Sequence, residues 1–141
     1  TKSLKAITES TYRYIDNNHT AFSKEQIDDL KIIFKNLTDV YASYAIMDKN
    51  GDYSRFDQVT AMRETIIELN SKMTKRQIKR VKENESSTRS SILFLNLVNE
   101  SKIITLQSSN LMKSHRNFKE QYAKSLAGRD TKKVMMNATL N

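Results

Sequence analysis

The side chains that could perform acid–base or metal chemistry in this sequence are few. It contains two histidines, His19 and His115, and no cysteine. Asp16 lies three residues before His19, so one helical turn could offer two metal ligands; the alternative is a solvated histidine in a turn. His115 lies between Lys113 and Arg116, which is typical of the surface of a basic helix. Since the sequence also lacks a glycine-rich phosphate loop, it predicts no enzyme, no catalytic residue, no metal site and no cofactor.

A calcium-binding loop is the second candidate, in the segment "DKNGDYS" that starts at Asp48. Oxygen-bearing side chains stand at every second position of this segment, as they do in an EF-hand. An EF-hand also needs glycine at its sixth position and a bidentate glutamate at its twelfth, where this sequence has Tyr53 and Val59. We therefore favour an ordinary turn between two helices, with Asp52 or Ser54 as the N-cap of the second helix.

A dense group of cations is the main chemical feature of the sequence. We name it the basic cluster, and its members are Lys72, Lys75, Arg76, Lys79, Arg80 and Lys82. One interpretation is a solvated outer face near the C-terminal end of a helix, where cations complement the helix macrodipole. Another is a surface for an anionic partner, either lipid headgroups or an acidic protein face. Nucleic acid is the less favoured partner, because no aromatic side chain for base stacking is interleaved with the cations.

Composition limits the fold class and the setting. The chain has no proline and two glycines, so it has few helix breakers and few residues for tight β-turns, and we predict an all-α fold. The net charge of +8 favours anionic partners. No run approaches the roughly 20 apolar residues that span a bilayer, and the first residues lack a signal-peptide core. The absence of cysteine fits a reducing cytosolic setting. Because the sequence starts without methionine and already in helical rhythm, we expect it to be a piece of a longer protein.

Apolar residues at helical spacing predict four helices, which we expect to pack as an antiparallel bundle of unequal lengths. Ser23 and Gln26 have the spacing of a capping box at the start of the second helix. We expect residues 1–127 to form the bundle and residues 128–141, which lose the rhythm, to be a loose C-terminal tail. The predicted boundaries are Asn17 for the end of the first helix, Lys82 for the end of the third, Ser86, Ser87 or Thr88 for the N-cap of the fourth, and Leu126 for its end.

Apolar seams indicate which faces of these helices form the core. Steps of three and four residues along the second and third helices are typical of a bundle seam, and the first half of the fourth helix is apolar nearly all round, which predicts a central position. The predicted seam residues are Leu4, Ile7, Tyr14 and Ile15 in the first helix, Ile27, Leu30, Phe34, Leu37, Tyr41 and Tyr44 in the second, and Phe56, Val59, Met62, Ile66, Leu69 and Met73 in the third.

Two blocks of the sequence carry a resemblance to a known family. They read "YRYIDNNHTAFSKEQIDDLK" and "RQIKRVKENESSTRSSILFLNLVNESKIITLQSSNLMKSHRNF". Over about residues 12–118 the chain resembles the C-terminal soluble domain of bacterial inorganic phosphate transporters of the PiT family, especially those of the Bacteroides type. Those domains look like relatives of the PhoU domain, which is a bundle of long antiparallel helices. The resemblance therefore implies a PhoU-like helical bundle.

What the resemblance implies about function is a regulatory or interaction domain for phosphate uptake at the cytoplasmic face of the inner membrane. The implied partners are the transmembrane part of the same transporter, a second copy in a homodimer, and an anionic lipid surface. PhoU proteins bind metal through an ExxxD motif, but at the nearest match here Glu100 is followed by Ile104, so no metal residue is carried over. Two alternatives stay open: a free-standing basic helical protein that binds nucleic acid, and a coiled-coil structural adaptor.

Overall fold

The secondary structure of the chain is helical. In this computed structural model the backbone is described for residues 2–138 and the side chains for residues 2–128. The described backbone contains no strand, which confirms the predicted all-α class. The helices are α1 (Lys2–Asp16), α2 (Lys24–Asn50), α3 (Phe56–Lys82) and α4 (Thr88–Ala138).

The chain divides into two compact units, Thr1–Ser109 and Asn110–Asn141. The first unit contains α1, α2, α3 and the first part of α4, and the second unit is formed from the remainder of α4. The predicted extent of the bundle domain, residues 1–127, stays a prediction.

Local signals set both ends of α2. The Ser23 hydroxyl oxygen accepts a hydrogen bond from the backbone N–H of Gln26 at 3.2 Å, and the Gln26 side chain accepts one from the backbone N–H of Ser23 at 2.9 Å. The predicted capping box is therefore confirmed. At the other end Gly51 has a φ of 65°, and its N–H donates to the carbonyl oxygen of Asp48 at 3.3 Å. Glycine suits this left-handed position because a Cβ would be strained there.

The start of α3 differs from the prediction. Arg55 is the N-cap residue, and its side chain makes no capping hydrogen bond. Asp52, one of the two predicted caps, accepts a hydrogen bond from the backbone N–H of Ser54 at 2.9 Å inside the turn. This bond, together with one from the Ser54 hydroxyl, holds the pKa of Asp52 below its ordinary value. The predicted cap was wrong because the turn engages the carboxylate before the helix begins, whereas the predicted end of α3 at Lys82 is confirmed.

The limits of α4 confirm one prediction and correct another. Ser87 Oγ accepts a hydrogen bond from the backbone N–H of Ser90 at 3.2 Å, so Ser87 is the N-cap among the three predicted candidates. The predicted end at Leu126 was wrong, since α4 continues to Ala138. Gly128 interrupts the apolar rhythm, but a glycine inside a helix costs only about 1 kcal/mol relative to alanine. Residues 128–138 of the predicted loose tail are therefore helical, and residues 139–141 lie outside the described residues.

The core of the first unit combines one seam from each of α2, α3 and α4. Its apolar members are Leu30, Ile33, Leu37, Val40, Tyr44 and Met47 on α2, Phe56, Val59, Ile66 and Met73 on α3, and Leu93, Phe94, Leu97, Val98 and Ile104 on α4. The predicted α2 seam was wrong at Ile27, Phe34 and Tyr41, which are about 40% exposed. On α3, Met62 and Leu69 are half-buried at the edge of the predicted seam.

Two of the four predicted seam residues of α1, Ile7 and Tyr14, are half-buried, and Tyr14 makes the aromatic contact of this helix. Leu4 is 58% and Ile15 is 68% exposed, so the prediction was wrong at both positions. The ring of Tyr14 stacks on Phe22 with the centroids 5.8 Å apart, and Phe22 meets the buried ring of Phe94 edge-on at 6.4 Å. These three rings connect the end of α1 to the core through Phe94 of α4, while Ser3 is buried and Ile7 half-buried nearer the start of the helix.

Candidate functional site

Both arginines of the basic cluster face a buried carboxylate. Arg76 Nη1 lies 2.8 Å from Asp29 Oδ1, and Arg80 Nη2 lies 2.6 Å from Asp29 Oδ2. The side chain of Asp29 is 5% exposed and that of Arg80 is 12% exposed, whereas Arg76 is 60% exposed. Each carboxylate oxygen thus accepts one charge-assisted hydrogen bond from α3. Arg80 consequently belongs to the interior of the first unit and is not a surface cation.

Arg80 makes two further contacts. Its Nη1 donates a hydrogen bond to Gln77 Oε1 at 3.1 Å. Its guanidinium carbon lies 5.8 Å from the ring centroid of Phe94, which is fully buried, so a cation–π contact accompanies the ion pair. The single side chain of Arg80 therefore joins a carboxylate of α2, an amide of α3 and an aromatic ring of α4.

A network of buried amides and hydroxyls lies beside this ion pair. Gln26 Nε2 donates to Gln77 Oε1 at 3.1 Å, and Gln77 Nε2 donates to Ser91 Oγ at 2.9 Å and to Ser86 Oγ at 3.1 Å. Gln26 and Gln77 are almost completely buried. We name Gln26, Gln77, Ser86 and Ser91 the polar network. It connects α2, α3, the loop before α4 and α4 itself, and no pattern in the sequence predicted it.

The lysines of the basic cluster are placed differently from its arginines. Lys72, Lys75, Lys79 and Lys82 are exposed. Lys79 Nζ lies 3.6 Å from Glu83 Oε1 one turn further along α3, a surface pair of the kind that contributes little to stability. The structure thus divides the cluster, with Arg80 turned inward and the lysines in contact with solvent. Their role as an anionic-partner surface stays a prediction.

A cleft of about 710 Å³ lies between α3 and the first part of α4. We name it the α3–α4 cleft, and it is lined by Ile67, Asn70, Ser71, Thr74, Lys75, Leu95, Asn96, Val98, Asn99 and Lys102. Two lysines, three amides, two hydroxyl groups and three aliphatic side chains meet there, and no carboxylate lines it. The first part of α4 therefore presents a polar side to α3 as well as its apolar seam.

Asn70 is the unusual member of this lining. The residue is only 3% exposed. Neither its Oδ1 nor its Nδ2 has a hydrogen-bond partner, and neither atom is accessible to solvent. A buried amide without partners destabilises a protein because both groups have lost their hydrogen bonds to water. The sequence offered no signal for this residue, since an asparagine on an amphipathic helix is ordinarily read as exposed.

His19 contacts the start of α4. Arg89 Nη1 lies 3.1 Å from His19 Nδ1, and because a guanidinium can only donate, this ring nitrogen is the acceptor. The ring of Tyr14 meets the histidine edge-on at 5.0 Å. Over the side chains described, residues 2–128, no group of three or more His, Cys, Asp or Glu residues could hold a metal ion. His115, the other candidate, is half-buried on α4.

Beyond Ser109, α4 carries apolar side chains that are exposed. Leu111 is 69%, Phe118 65%, Tyr122 58% and Leu126 42% exposed. At 100° per residue these four positions fall within an arc of about 80° on the helix surface. We name them the apolar stripe. The rings of Phe118 and Tyr122 are stacked, with their centroids 6.3 Å apart.

Comparisons with known proteins identify no relative. No family model, no curated protein and no solved structure matches the chain. Within the described part of the chain, no helix combines the length and the apolar character needed to cross a membrane.

The contribution of Asp29 to stability can be tested by comparing its substitution with the same substitution at Asp28. We expect Asp29→Asn to lower the free energy of unfolding by roughly 2–4 kcal/mol, because Arg80 would lose a buried charged partner. Asp28→Asn is the matched control, since the side chain of Asp28 is 56% exposed and only reaches Lys31 at 4.0 Å; a change within about 0.5 kcal/mol is expected there. Urea unfolding followed by circular dichroism measures both. Equal effects of the two substitutions would contradict a structural role for the pair.

The unpartnered amide of Asn70 predicts a substitution that stabilises the protein. Asn70→Leu keeps the number and branching of the side-chain heavy atoms and removes two unsatisfied polar groups, so we expect the free energy of unfolding to rise by roughly 1–3 kcal/mol. The control is Asn96→Leu, because Asn96 lines the same cleft but is exposed, and it should change stability by less than about 0.5 kcal/mol. If Asn70→Leu destabilised the protein in the same urea experiment, the amide would have a partner that the structure does not show.

Proposed function

We propose that this chain is a non-catalytic, PhoU-like interaction domain of a bacterial inorganic phosphate transporter of the PiT family. In this proposal it lies at the cytoplasmic face of the inner membrane and binds the transmembrane part of the same transporter, whose activity it regulates. The proposed family is based on the resemblance of residues 12–118 to these transporter domains. The apolar stripe on α4 is the observation that supports a binding role.

The exposure of the apolar stripe favours a bound partner. Aromatic and leucine side chains on one face of a helix are typical of a surface that is covered in the functional assembly. Burial of apolar surface contributes about 25 cal/mol per Å², and large aromatic rings contribute most at interfaces. Phe118 and Tyr122 are therefore the residues on which we expect binding to depend most.

The charges around the stripe indicate what kind of partner fits it. Lys113, Lys119 and Lys124 are exposed on α4 beyond Ser109. At 100° per residue Lys119 borders the stripe, whereas Lys113 and Lys124 lie on the opposite face of the helix. The complementary surface is therefore apolar, with an anionic group facing Lys119. The cytoplasmic loops of a transporter beside anionic lipid headgroups have this character, and juxtamembrane cations gain about 1 kcal/mol each near such headgroups.

A coiled-coil adaptor is the second candidate, and the spacing of the stripe favours it. Successive stripe positions are separated by seven, four and four residues, close to the repeat that packs one helix against another. The partner would then be a second copy of this chain. Light scattering distinguishes the two candidates, because the adaptor must be a dimer in isolation and the transporter domain need not be.

The proposal is tested first on the native gene product. An antibody raised against this chain should detect, in the source cells, a polypeptide much larger than 16.4 kDa. That polypeptide should be released from membranes by detergent and not by high salt, because membrane-spanning helices would hold it there. A soluble polypeptide near 16.4 kDa would contradict the transporter assignment.

The stripe itself is tested by binding. The double substitution Phe118→Ser and Tyr122→Ser should weaken the affinity of this chain for the separately produced membrane part by about tenfold, since two aromatic anchors are lost. Tyr12→Ser is the control, because Tyr12 is 69% exposed but lies on α1. Surface plasmon resonance on the membrane part in nanodiscs measures all three proteins. Equal affinities for the double variant and the control would contradict binding through the stripe.

A further inference from the structure

We propose that the outer face of α3 binds a second copy of this chain, with the two α3 helices antiparallel and related by a twofold axis. We name this surface the charge face, and its exposed members are Asp57, Glu64, Glu68, Lys72, Lys75, Lys79 and Lys82. It lies within the first unit and is separate from the apolar stripe. The inference does not depend on the transporter assignment.

The order of charges along this face is the first observation. At 100° per residue the seven positions fall within an arc of about 80° on the surface of α3. All the carboxylates of the face come before the middle of the helix, and all its lysines come after it. The boundary lies between Glu68 and Lys72. One half of the exposed face is therefore acidic and the other half is basic.

The helix macrodipole does not account for this division. It favours carboxylates in the first turn and cations in the last, which explains Asp57 and Lys82, but its effect falls off beyond those turns. Glu68 and Lys72 lie in the middle of α3. They are one turn apart, yet no ion pair joins them in the structure, so a stabilising pair within the helix does not explain the boundary either.

An antiparallel pair of α3 helices would match these charges. The acidic half of each copy would lie against the basic half of the other, and twofold symmetry would make each contact twice. The facing pairs are Asp57 with Lys82, Glu64 with Lys75, and Glu68 with Lys72. The two members of each pair lie equally far from the middle of α3 and within about 40° of each other around the helix. Ala61 would face Lys79, and its small side chain leaves space for the long one.

The mixed charge of the face indicates which partner fits it. A parallel pair would place carboxylates against carboxylates and lysines against lysines, and like charges in contact disfavour association. A uniformly anionic partner, such as a lipid surface or nucleic acid, would be repelled by the acidic half. The charge face therefore selects a partner with charges of both signs in the reverse order, and a second copy of this chain provides one.

Most of these charges are available for such a contact. Members of the face that form no ion pair with another described residue are Asp57, Glu68, Lys72, Lys75 and Lys82. Lys79 lies 3.6 Å from Glu83, and Glu64 lies 2.9 Å from Arg63. The side chain of Glu64 is still 56% exposed and that of Lys79 is 73% exposed, so solvent reaches both.

The size of the face indicates a weak dimer. At about 1.5 Å per residue the distance from Asp57 to Lys82 is about 38 Å, and a helix is about 10 Å wide, so each copy would bury roughly 400 Å². A total of about 800 Å² is typical of transient complexes. Exposed ion pairs contribute little to affinity individually, but their arrangement fixes orientation. We therefore expect an association that is weak and sensitive to salt.

Sedimentation equilibrium on the full 141-residue chain provides the test. We expect a monomer–dimer equilibrium with a Kd below about 200 µM at about 0.05 M salt. At about 0.5 M salt the Kd should rise at least about tenfold, because exposed charges are then screened over a few ångströms.

Charge reversal connects the dimer to the charge face. Lys75→Glu should raise the Kd at least about tenfold, because each copy would then place a carboxylate against Glu64 of the other. The change lowers the net positive charge, so a general effect of net charge would act in the opposite direction. Lys31→Glu is the matched control, since Lys31 is 74% exposed on α2 outside the face, and it should leave the Kd within about twofold.

A second reversal tests the antiparallel register. Lys75→Glu combined with Glu64→Lys exchanges the signs across the same contact and should return the Kd to within about threefold of the original value. Lys75→Glu combined with Glu9→Lys restores the net charge equally, but Glu9 lies on α1 and is 51% exposed, so this variant should remain as weak as Lys75→Glu. Recovery by the first combination also shows that the substituted chains fold.

Four results would overturn the proposal. The chain could remain monomeric up to about 1 mM at low salt. Lys75→Glu and Lys31→Glu could dimerise equally well, or the two combined variants could have equal Kd values. Finally, Phe118→Ser with Tyr122→Ser could abolish a dimer that Lys75→Glu retains, which would assign self-association to the apolar stripe. None of these results bears on the size or membrane location of the native polypeptide, so failure here and failure of the transporter assignment are separable.

Discussion

The arrangement of the first unit depends on polar groups that three helices bury together. Gln77 on α3 bonds to Gln26 on α2 and to Ser91 on α4, while Asp29 bonds to Arg80. Each of these groups is stable in the interior only while its partners are present, because an unpaired buried amide or charge costs more than its hydrogen bond contributes. A shift of α3 by one helical turn would preserve apolar contacts between the helices, but the side-chain amides of Gln26 and Gln77 would lose their hydrogen-bond partners. The polar contacts therefore select one register among several that the apolar seams would tolerate.

The same contacts show that the arginines and the lysines of the basic cluster have different roles. A net charge of +8 and a row of cations favour an anionic surface, but the guanidinium groups differ from the lysines in what they can do inside a protein. A planar group with several donors can meet a carboxylate, an amide and an aromatic ring together, as Arg80 does. The lysines of the cluster remain in solvent, and Lys75 lines a cleft. The basic cluster thus contains arginines that pair with Asp29 and lysines that remain exposed, although both kinds of residue occupy the same stretch of sequence.

Local signals predicted the helices well, and tertiary contacts decided what the sequence could not reveal. The capping box at Ser23 and the end of α3 at Lys82 follow from interactions within a few residues. The α2 seam was partly wrong because apolar residues cover more than one face of that helix, and only the partner helices choose among them. Gln77 stands among lysines and arginines, so its burial is invisible in the sequence. The end of α4 was misplaced because Gly128 weakens a helix without ending it.

The loop between α3 and α4 and the first turn of α4 supply hydrogen-bond partners that are synthesised after α2 and α3. Ser86 and Ser91 supply the acceptors for Gln77, and both lie after the hairpin of α2 and α3 in the chain. During synthesis on a ribosome that hairpin therefore emerges while Gln77 still lacks these two partners. Chains generally fold from the N-terminal end as they appear, so the hairpin can associate through its apolar seam, the Asp29–Arg80 ion pair and the Gln26–Gln77 hydrogen bond before α4 is present. The Nε2 group of Gln77 gains its two hydroxyl acceptors only when the first turn of α4 leaves the exit tunnel.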